Sequence, residues 1–377
     1  MGCKRNRTLD VFRTVAILSV LIYHFYVLDH YPYQGNQVLN RFLGIGGELG
    51  VTLFFIISGF GIFSSLSKME SAQESAGVKD FLKKRFFRIL PQYYACLTIL
   101  LLITSEAQYI NKEGMFDVAT HLLFIHNWFP SAHGSINGVL WSMGTIFQFY
   151  FIAVFLYRGI RKNKWFTCVL SVIISVGAKY VIFHWILPNT QAEPSWYFIY
   201  ARQIVTALDN FVFGMLLCCI LKELQNKGRK AFWGIGAVLS FGACCWWIWE
   251  IEKHPPYTDS IFGYVWHTIF AALLTVLILC ICGLRFQFKS PVSRIILWIS
   301  KYQYGIYIWH FLIASTLLSY SSAVQVIARN SFIVFTILMC VICCVAGYAS
   351  TVVFESISYK EQWNKLKKEL LGIGESS

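Results

Sequence analysis

Ten apolar runs of 17 to 25 residues dominate the chain, near 10–28, 48–66, 89–105, 138–157, 165–187, 199–221, 231–250, 261–283, 296–320 and 331–354. Each is close to the roughly 20 residues a helix needs to cross a bilayer. Read alternately from a cytoplasmic N-terminus, they predict an all-α polytopic membrane protein of about ten transmembrane helices with both termini cytoplasmic. The polar stretches between them, longest at 67–85 and 106–117, are too short to fold alone, and no repeat or linker divides the chain. The expectation is one integral-membrane domain over 1–377, with a short basic tail at about 358–377 lying at the membrane surface. The segment 119–130 is too short to span and is expected to dip in from the outer side, partly covering a cavity.

Composition agrees with this pattern. Of the 377 residues, 56% are hydrophobic and only 14% charged, against about 25% charged in soluble domains. A soluble enzyme, a disordered chain and a coiled coil are thereby excluded. The formal net charge of +13 raises the question of nucleic acid, and the placement of the charges answers it. Of the 32 Lys and Arg, 24 fall in the loops and tails assigned to the cytoplasm, and only Arg41, Lys112, Lys253 and Arg329 fall in the opposite loops. Basicity is therefore a topology signal of the positive-inside kind, with no nucleic-acid partner. Eleven of the twelve cysteines lie in or beside apolar runs, which predicts reduced, buried thiols rather than disulfides or a metal site. The first run carries Arg13 and His24 and has no small-residue cleavage site after it, so it is read as retained rather than as a signal peptide.

Ionisable groups inside spans are costly and mark function by default. Asp10, Arg13 and His24 share one stripe of the first helix, with His24 about 16.5 Å of helical rise beyond Arg13. This places an acid and a guanidinium near the cytoplasmic surface and an imidazole half a bilayer deeper. The plain alternative is an Asp10–Arg13 pair anchoring the helix end. The third run is preceded by Lys83-Lys84-Arg85-Phe86-Phe87-Arg88, in which Arg85 and Arg88 share a face suited to gripping phosphate. Membrane anchoring explains the two lysines as well and the two arginines less well. Ser58-Gly59, read from the residues alone, is a packing notch. Trp141, Gln148, His310 and Glu355 complete the polar inventory, with Lys179, Arg202, Asp209 and Lys301 as weaker candidates. No phosphate-binding glycine loop, Gly-x-Ser-x-Gly elbow or His-Glu-x-x-His motif is present.

Together these residues resemble the acyltransferase-3 family of integral-membrane acyltransferases, which modify cell-surface sugars in bacteria. The resemblance covers nearly the whole chain. It rests on Arg7-Thr8-Leu9-Asp10-Val11-Phe12-Arg13 with His24 eleven residues beyond Arg13, on Phe54-Phe55-Ile56-Ile57-Ser58-Gly59-Phe60, and on Arg85-x-x-Arg88 before Pro91. Tyr304-Gly305-Ile306-Tyr307-Ile308-Trp309-His310 and Glu355 follow in the expected order.

The resemblance implies a ten-helix bundle using acetyl-CoA from the cytoplasm, without a metal, to acylate a carbohydrate or glycolipid acceptor in the bacterial cytoplasmic membrane. It makes His24 the essential histidine, with Asp10 and Arg13 beside it in the catalytic set. It also places Arg85, Arg88, Ser58 and Gly59 at the donor, and Trp141, Gln148, His310 and Glu355 towards the acceptor. One departure stands out: relatives carry glutamates shortly before Gln-Phe-Tyr, where this chain has Ile146 and Phe147. The chain also ends without the hydrolase-like domain of some relatives, so transfer is expected to be completed by the membrane unit or a separate partner. The rival class is a transporter or flippase of a glycan precursor or acyl group, which the absence of duplicated halves disfavours. The sequence admits a homo-oligomer without requiring one.

Overall fold

A computed structural model describes residues 6–71, 78–103, 111–190, 193–224, 229–286 and 289–356. The described residues contain helices and turns and no strand. The long helices are α1 (Arg7–Leu28), α3 (Gly46–Ser71), α4 (Val78–Ile103) and α6 (Trp141–Tyr180), then α8 (Leu208–Glu223), α9 (Lys230–Trp249), α10 (Ile261–Leu284), α11 (Pro291–Tyr320) and α13 (Phe332–Ser356). Short helices α2 (Gln37–Gly44), α5 (Lys112–Leu122), α7 (Pro194–Tyr200) and α12 (Ser322–Asn330) lie between them.

Among the described residues, seven helices are long and apolar enough to cross a membrane, or eight if the α11–α12 pair, bent by 98°, counts as one. The ten crossings expected from the sequence correspond to a different division of the same helices. The helix from Trp141 through Asn189 holds two of them, broken at Asn163, whose φ of −154° and ψ of 99° leave the helical region. Helix α8, with 16 residues, is shorter than a typical span.

Chain chemistry sets the helix boundaries. The side chains of Asn6, Asn36, Asn111, Ser260 and Ser290 each accept a backbone N–H in the first turn of the helix that follows. Pro291 then occupies the first turn of α11, where its missing N–H costs nothing. In α13 the burial pattern separates interior from exterior: Phe335, Met339 and Cys343 are fully buried, while Ile333, Ile337, Val341 and Val345 are exposed. Both sets step by four residues, so one face packs inward and the other is left for acyl chains.

Small residues set the closest crossings. A Cβ on Gly59 would collide with the Phe211 carbonyl and one on Gly214 with the Ile56 carbonyl, so α3 and α8 touch backbone to backbone. The same device brings α11 against α13 at Gly305 and Gly347. Helix α1 packs against both α3 and α11. This places α1 centrally, with its polar stripe facing its neighbours.

Candidate functional site

A cavity of about 630 Å³ opens among α1, α3, α4, α6 and α11. Its wall includes Asp10, Arg13, Ser58, Arg85, Arg88, Ser142, Ile146, Tyr150, Ser300, Lys301, Gln303, Tyr304 and Tyr307. The volume falls in the range of small-molecule and cofactor sites. Four cationic side chains and one carboxylate on this wall leave a formal excess of three positive charges.

The carboxylate is committed. Asp10, almost fully buried, accepts from Arg13 at 2.5 Å and from the Ser300 hydroxyl at 3.1 Å, tying the start of α1 to α11. Arg85 sits against the Phe81 ring and feels the like charges of Arg88 and Arg13. Gathering guanidinium groups around one void is unfavourable unless an anion occupies it. Further in, Gln303 holds a buried amide oxygen with no hydrogen-bond partner in the described structure. An N–H or O–H of a ligand in the cavity would satisfy it.

At the inner end, the Ser142 hydroxyl lies 2.7 Å from the Tyr307 hydroxyl, which donates to the Val139 carbonyl at 2.6 Å. One turn beyond Tyr307 along α11 lies His310, fully buried, with Nδ1 2.6 Å from the Tyr307 carbonyl. His310 Nε2 is 3.1 Å from Nδ1 of His24, which is itself 2.9 Å from the Val20 carbonyl. Carbonyl oxygens only accept, so each Nδ1 carries the proton and each neutral ring keeps its lone pair on Nε2. His310 Nε2 therefore shares the His24 Nδ1–H, and His24 Nε2 is left as the basic atom. Phe311 stands edge-on to His24, with ring centroids 5.6 Å apart.

The structure thus brings Asp10, Arg13, Arg85, Arg88 and Ser58 to one wall, and leaves His24 off the lining, paired with His310, which is one turn of α11 beyond the lining Tyr307. It does not bring Gly59, Trp141 or Gln148 there. Gly59 faces the α8 backbone. Gln148 is occupied on both ends, accepting from Trp128 Nε1 at 2.9 Å and donating to the Phe124 carbonyl and Asn127 Oδ1. In that position it holds the segment 119–130 against α6. Trp141 is buried beneath the Arg202 guanidinium, 5.0 Å from its ring centroid. Glu355 is the residue before the last of α13, and its side chain lies outside the described residues, as does the tail 358–377.

A second polar cluster sits deeper and is electrically neutral. Glu48 pairs with Arg202, and His267 Nε2 lies 3.7 Å from the same carboxylate. Asp209 accepts from Thr268 and from the Asn210 N–H, and the buried Lys179 lies within electrostatic reach of Asp209 and Glu48. Two acids and two bases here bind α3, α6, α8 and α10 together, a structural use of charge that holds only while every member is present. Sequence reasoning missed Glu48, and also Ser300 and Gln303. The latter two were discoverable, since Ser300, Gln303, Tyr304 and Tyr307 repeat at helical spacing on one face of an apolar run.

Among the described residues no three His, Cys, Asp or Glu side chains are grouped to hold a metal ion. No solved structure matches the chain. Among characterised sequences, it is 23% identical over 331 residues to a peptidoglycan O-acetyltransferase of Listeria monocytogenes, covering 81% of this chain and 48% of that one. A Bacillus subtilis protein provisionally named for the same reaction is 24% identical over 329 residues, covering 80% and 48%. A provisionally named O-acetyltransferase of Staphylococcus aureus is 23% identical over 387 residues, covering 96% and 57%. The chain spans about half the length of the curated relatives it matches. The family model described as an acyltransferase domain matches residues 6–350, nearly the whole chain, and the protein belongs to the acyltransferase-3 family.

Proposed function

We propose that this membrane acyltransferase moves an acetyl group from acetyl-CoA to a hydroxyl of a cell-surface or lipid-linked carbohydrate in the bacterial cytoplasmic membrane. The observation that carries this reading is the cavity itself, in which three arginines crowd one mouth and the lining ends at Tyr307, one turn of α11 before His310, the hydrogen-bond partner of His24. The excess positive charge suits the phosphates of CoA, for which arginine offers bidentate hydrogen bonds. Gln303 suits an amide N–H of the pantetheine arm. The thioester would then lie towards Tyr307, close to His24.

His24 Nε2 takes the acceptor hydroxyl proton as the oxygen attacks the thioester carbonyl. The carbon–oxygen bond forms and the tetrahedral intermediate collapses with cleavage of the carbon–sulfur bond. The departing thiolate recovers the proton from His24. During this sequence His24 passes through an imidazolium whose Nδ1–H points at the lone pair of His310. That partner steadies the positive charge in the way the acid of a hydrolase triad steadies its histidine. General base catalysis of this kind contributes about 10²–10⁴-fold.

The arginine assignment is tested by titrating acetyl-CoA and its 3′-dephospho form against the purified protein and Arg85→Ala. Loss of a charge-assisted hydrogen bond costs about 1.5–3 kcal/mol. The variant should therefore bind acetyl-CoA about 10- to 150-fold more weakly, lose less towards the dephospho donor, and keep its acceptor KM. An equal loss for both donors means that Arg85 does not touch the 3′-phosphate, and unchanged affinity for both removes it from the donor site.

A further inference from the structure

Helix α3 opens on Gly46-Gly47-Glu48-Leu49-Gly50, and its three glycines let α1 press directly on it. A Cβ on Gly46 would collide with the Ser19 carbonyl, one on Gly47 with the Tyr23 ring and one on Gly50 with the Ala16 carbonyl. This seats Glu48 beside the turn of α1 that carries Tyr23 and His24, whose rings meet edge-on with centroids 5.1 Å apart. Arg202, the partner of Glu48, comes from the break between α7 and α8, where residues 201–207 form turns rather than helix.

The guanidinium of Arg202 is buried and firmly held. It pairs with Glu48, donates to the Tyr257 hydroxyl at 2.5 Å, and lies over the rings of Phe198, Trp141 and Tyr257, 3.8, 5.0 and 5.4 Å from their centroids. Its Nε–H has no hydrogen-bond partner among the described residues. A cation inside an apolar bundle is costly and marks function by default. Bracing the helices requires only that it be paired, yet its charge reaches beyond the pair. Arg202 lies within electrostatic reach of both His24 and Tyr307, although it does not line the cavity. Those two residues flank the place assigned above to the thioester. The countercharge, Glu48, is shared with Lys179 and His267.

We propose that Arg202 stabilises the oxyanion formed on the thioester carbonyl, acting through the field of its guanidinium, with Glu48 as the anchor that fixes it. As the acceptor oxygen attacks, the π electrons of the carbonyl move onto its oxygen while His24 takes the hydroxyl proton. On collapse the carbon–oxygen double bond re-forms, the carbon–sulfur bond breaks, and the thiolate takes the proton from His24. Between these steps one oxyanion faces two cations, the His24 imidazolium and Arg202, and Glu48 brings the four charges to zero. A charge already fixed near the point where negative charge develops is worth far more in a site of low dielectric than in water, because nothing has to reorganise. Arg202 acts at a distance, not by touching substrate. This assignment rests on the acyl-transfer reading above and adds the group that opposes the charge of the oxyanion.

The test separates the charge from the bracing. In the double variant Glu48→Gln/Arg202→Gln both partners become neutral, so no buried charge is left alone and the bundle keeps its packing. Cells producing the full chain are scored for base-labile acetate on envelope glycans per unit of folded protein, and purified protein is titrated with CoA analogues. The double variant should lose at least about tenfold in acetate, with acetyl-CoA affinity within about twofold of the parent. Carboxymethyl-CoA places a carboxylate where the thioester carbonyl lies, and acetonyl-CoA is its uncharged counterpart. The parent should bind the anion at least about tenfold more tightly, and the double variant should lose that preference while binding acetonyl-CoA normally. A folded double variant with parental acetate, a parallel loss of acetyl-CoA affinity, or an anion preference that survives in it overturns the assignment of Arg202. So does a parent that binds carboxymethyl-CoA no more tightly than acetonyl-CoA, a reading that decides the matter even where the double variant does not fold. These results leave the enzyme reading intact. Absence of His24-dependent acetate in cells with the unmodified chain overturns the enzyme reading, and the Arg202 assignment with it.

Discussion

Replacing His310 by phenylalanine keeps a ring of similar size in a fully buried site and removes the lone pair 3.1 Å from His24 Nδ1. In the resting state the loss is small, because the Val20 carbonyl, at 2.9 Å, still accepts the His24 proton. The loss grows when His24 becomes an imidazolium, since a hydrogen bond from a charged donor is worth about 1.5–3 kcal/mol. At 1.36 kcal/mol per decade this predicts a fall in kcat of about 10- to 150-fold. His310 does not line the cavity, so the KM for acetyl-CoA should stay within twofold. His310→Gln, whose amide oxygen is an acceptor, should recover part of the rate. The assay is acceptor-dependent release of the CoA thiol by purified protein, followed from pH 6 to 8.5, with folded fraction checked by size exclusion. A His310→Phe protein with kcat within twofold of the parent, or one that loses donor affinity as much as rate, would refute a positioning role for this ring.

Two further expectations follow from packing and from the outer segment. Gly59→Val forces a side chain into the Phe211 backbone and should lower stability by about 1–3 kcal/mol or more, read as a lower thermal midpoint with donor KM unchanged in the folded fraction. A raised donor KM at unchanged stability would instead place Gly59 in the donor site. In the outer segment, burial pulls the His121 and His133 imidazoles down to about 4, and burial with the nearby charge of His121 pulls His126 down to about 2. The unfolded segment then binds protons first, so its stability is complete above about pH 6.5 and falls towards pH 4, by up to about 1.4 kcal/mol per pH unit for each histidine. Hydrogen exchange corrected for intrinsic rate should show residues 112–140 losing protection between pH 7 and 5; protection that holds or rises would contradict this.

What the sequence made legible follows from what membranes penalise. Apolar runs, loop charge and the Asp10–Arg13–His24 stripe are local signals, and α1 keeps that stripe on one face because a helix fixes its own period. Arg85 and Arg88 were readable as one helix face for the same reason, whereas their gathering beside Arg13 depends on the packing of separate helices. The pairing of His24 with His310 was not, since 286 residues separate them and only the packing of α1 on α11 joins them. Glu48 and Arg202 were opaque as partners on the same ground. Gln148 shows the converse: its position in a motif suggested an acceptor contact, while its three hydrogen bonds hold the chain together. The count of spans shifted because helix length, broken at Asn163 and short in α8, is decided by tertiary packing rather than by composition.

The central claim is that the lone pair on His24 Nε2 takes the acceptor proton. Its most direct measurement compares acceptor-dependent release of CoA by the parent protein and His24→Ala at saturating acetyl-CoA, with donor binding measured on the same samples. The account predicts donor affinity within a few-fold of the parent and a rate lower by at least about 10²-fold. A His24→Ala protein that turns over at the parental rate would contradict it.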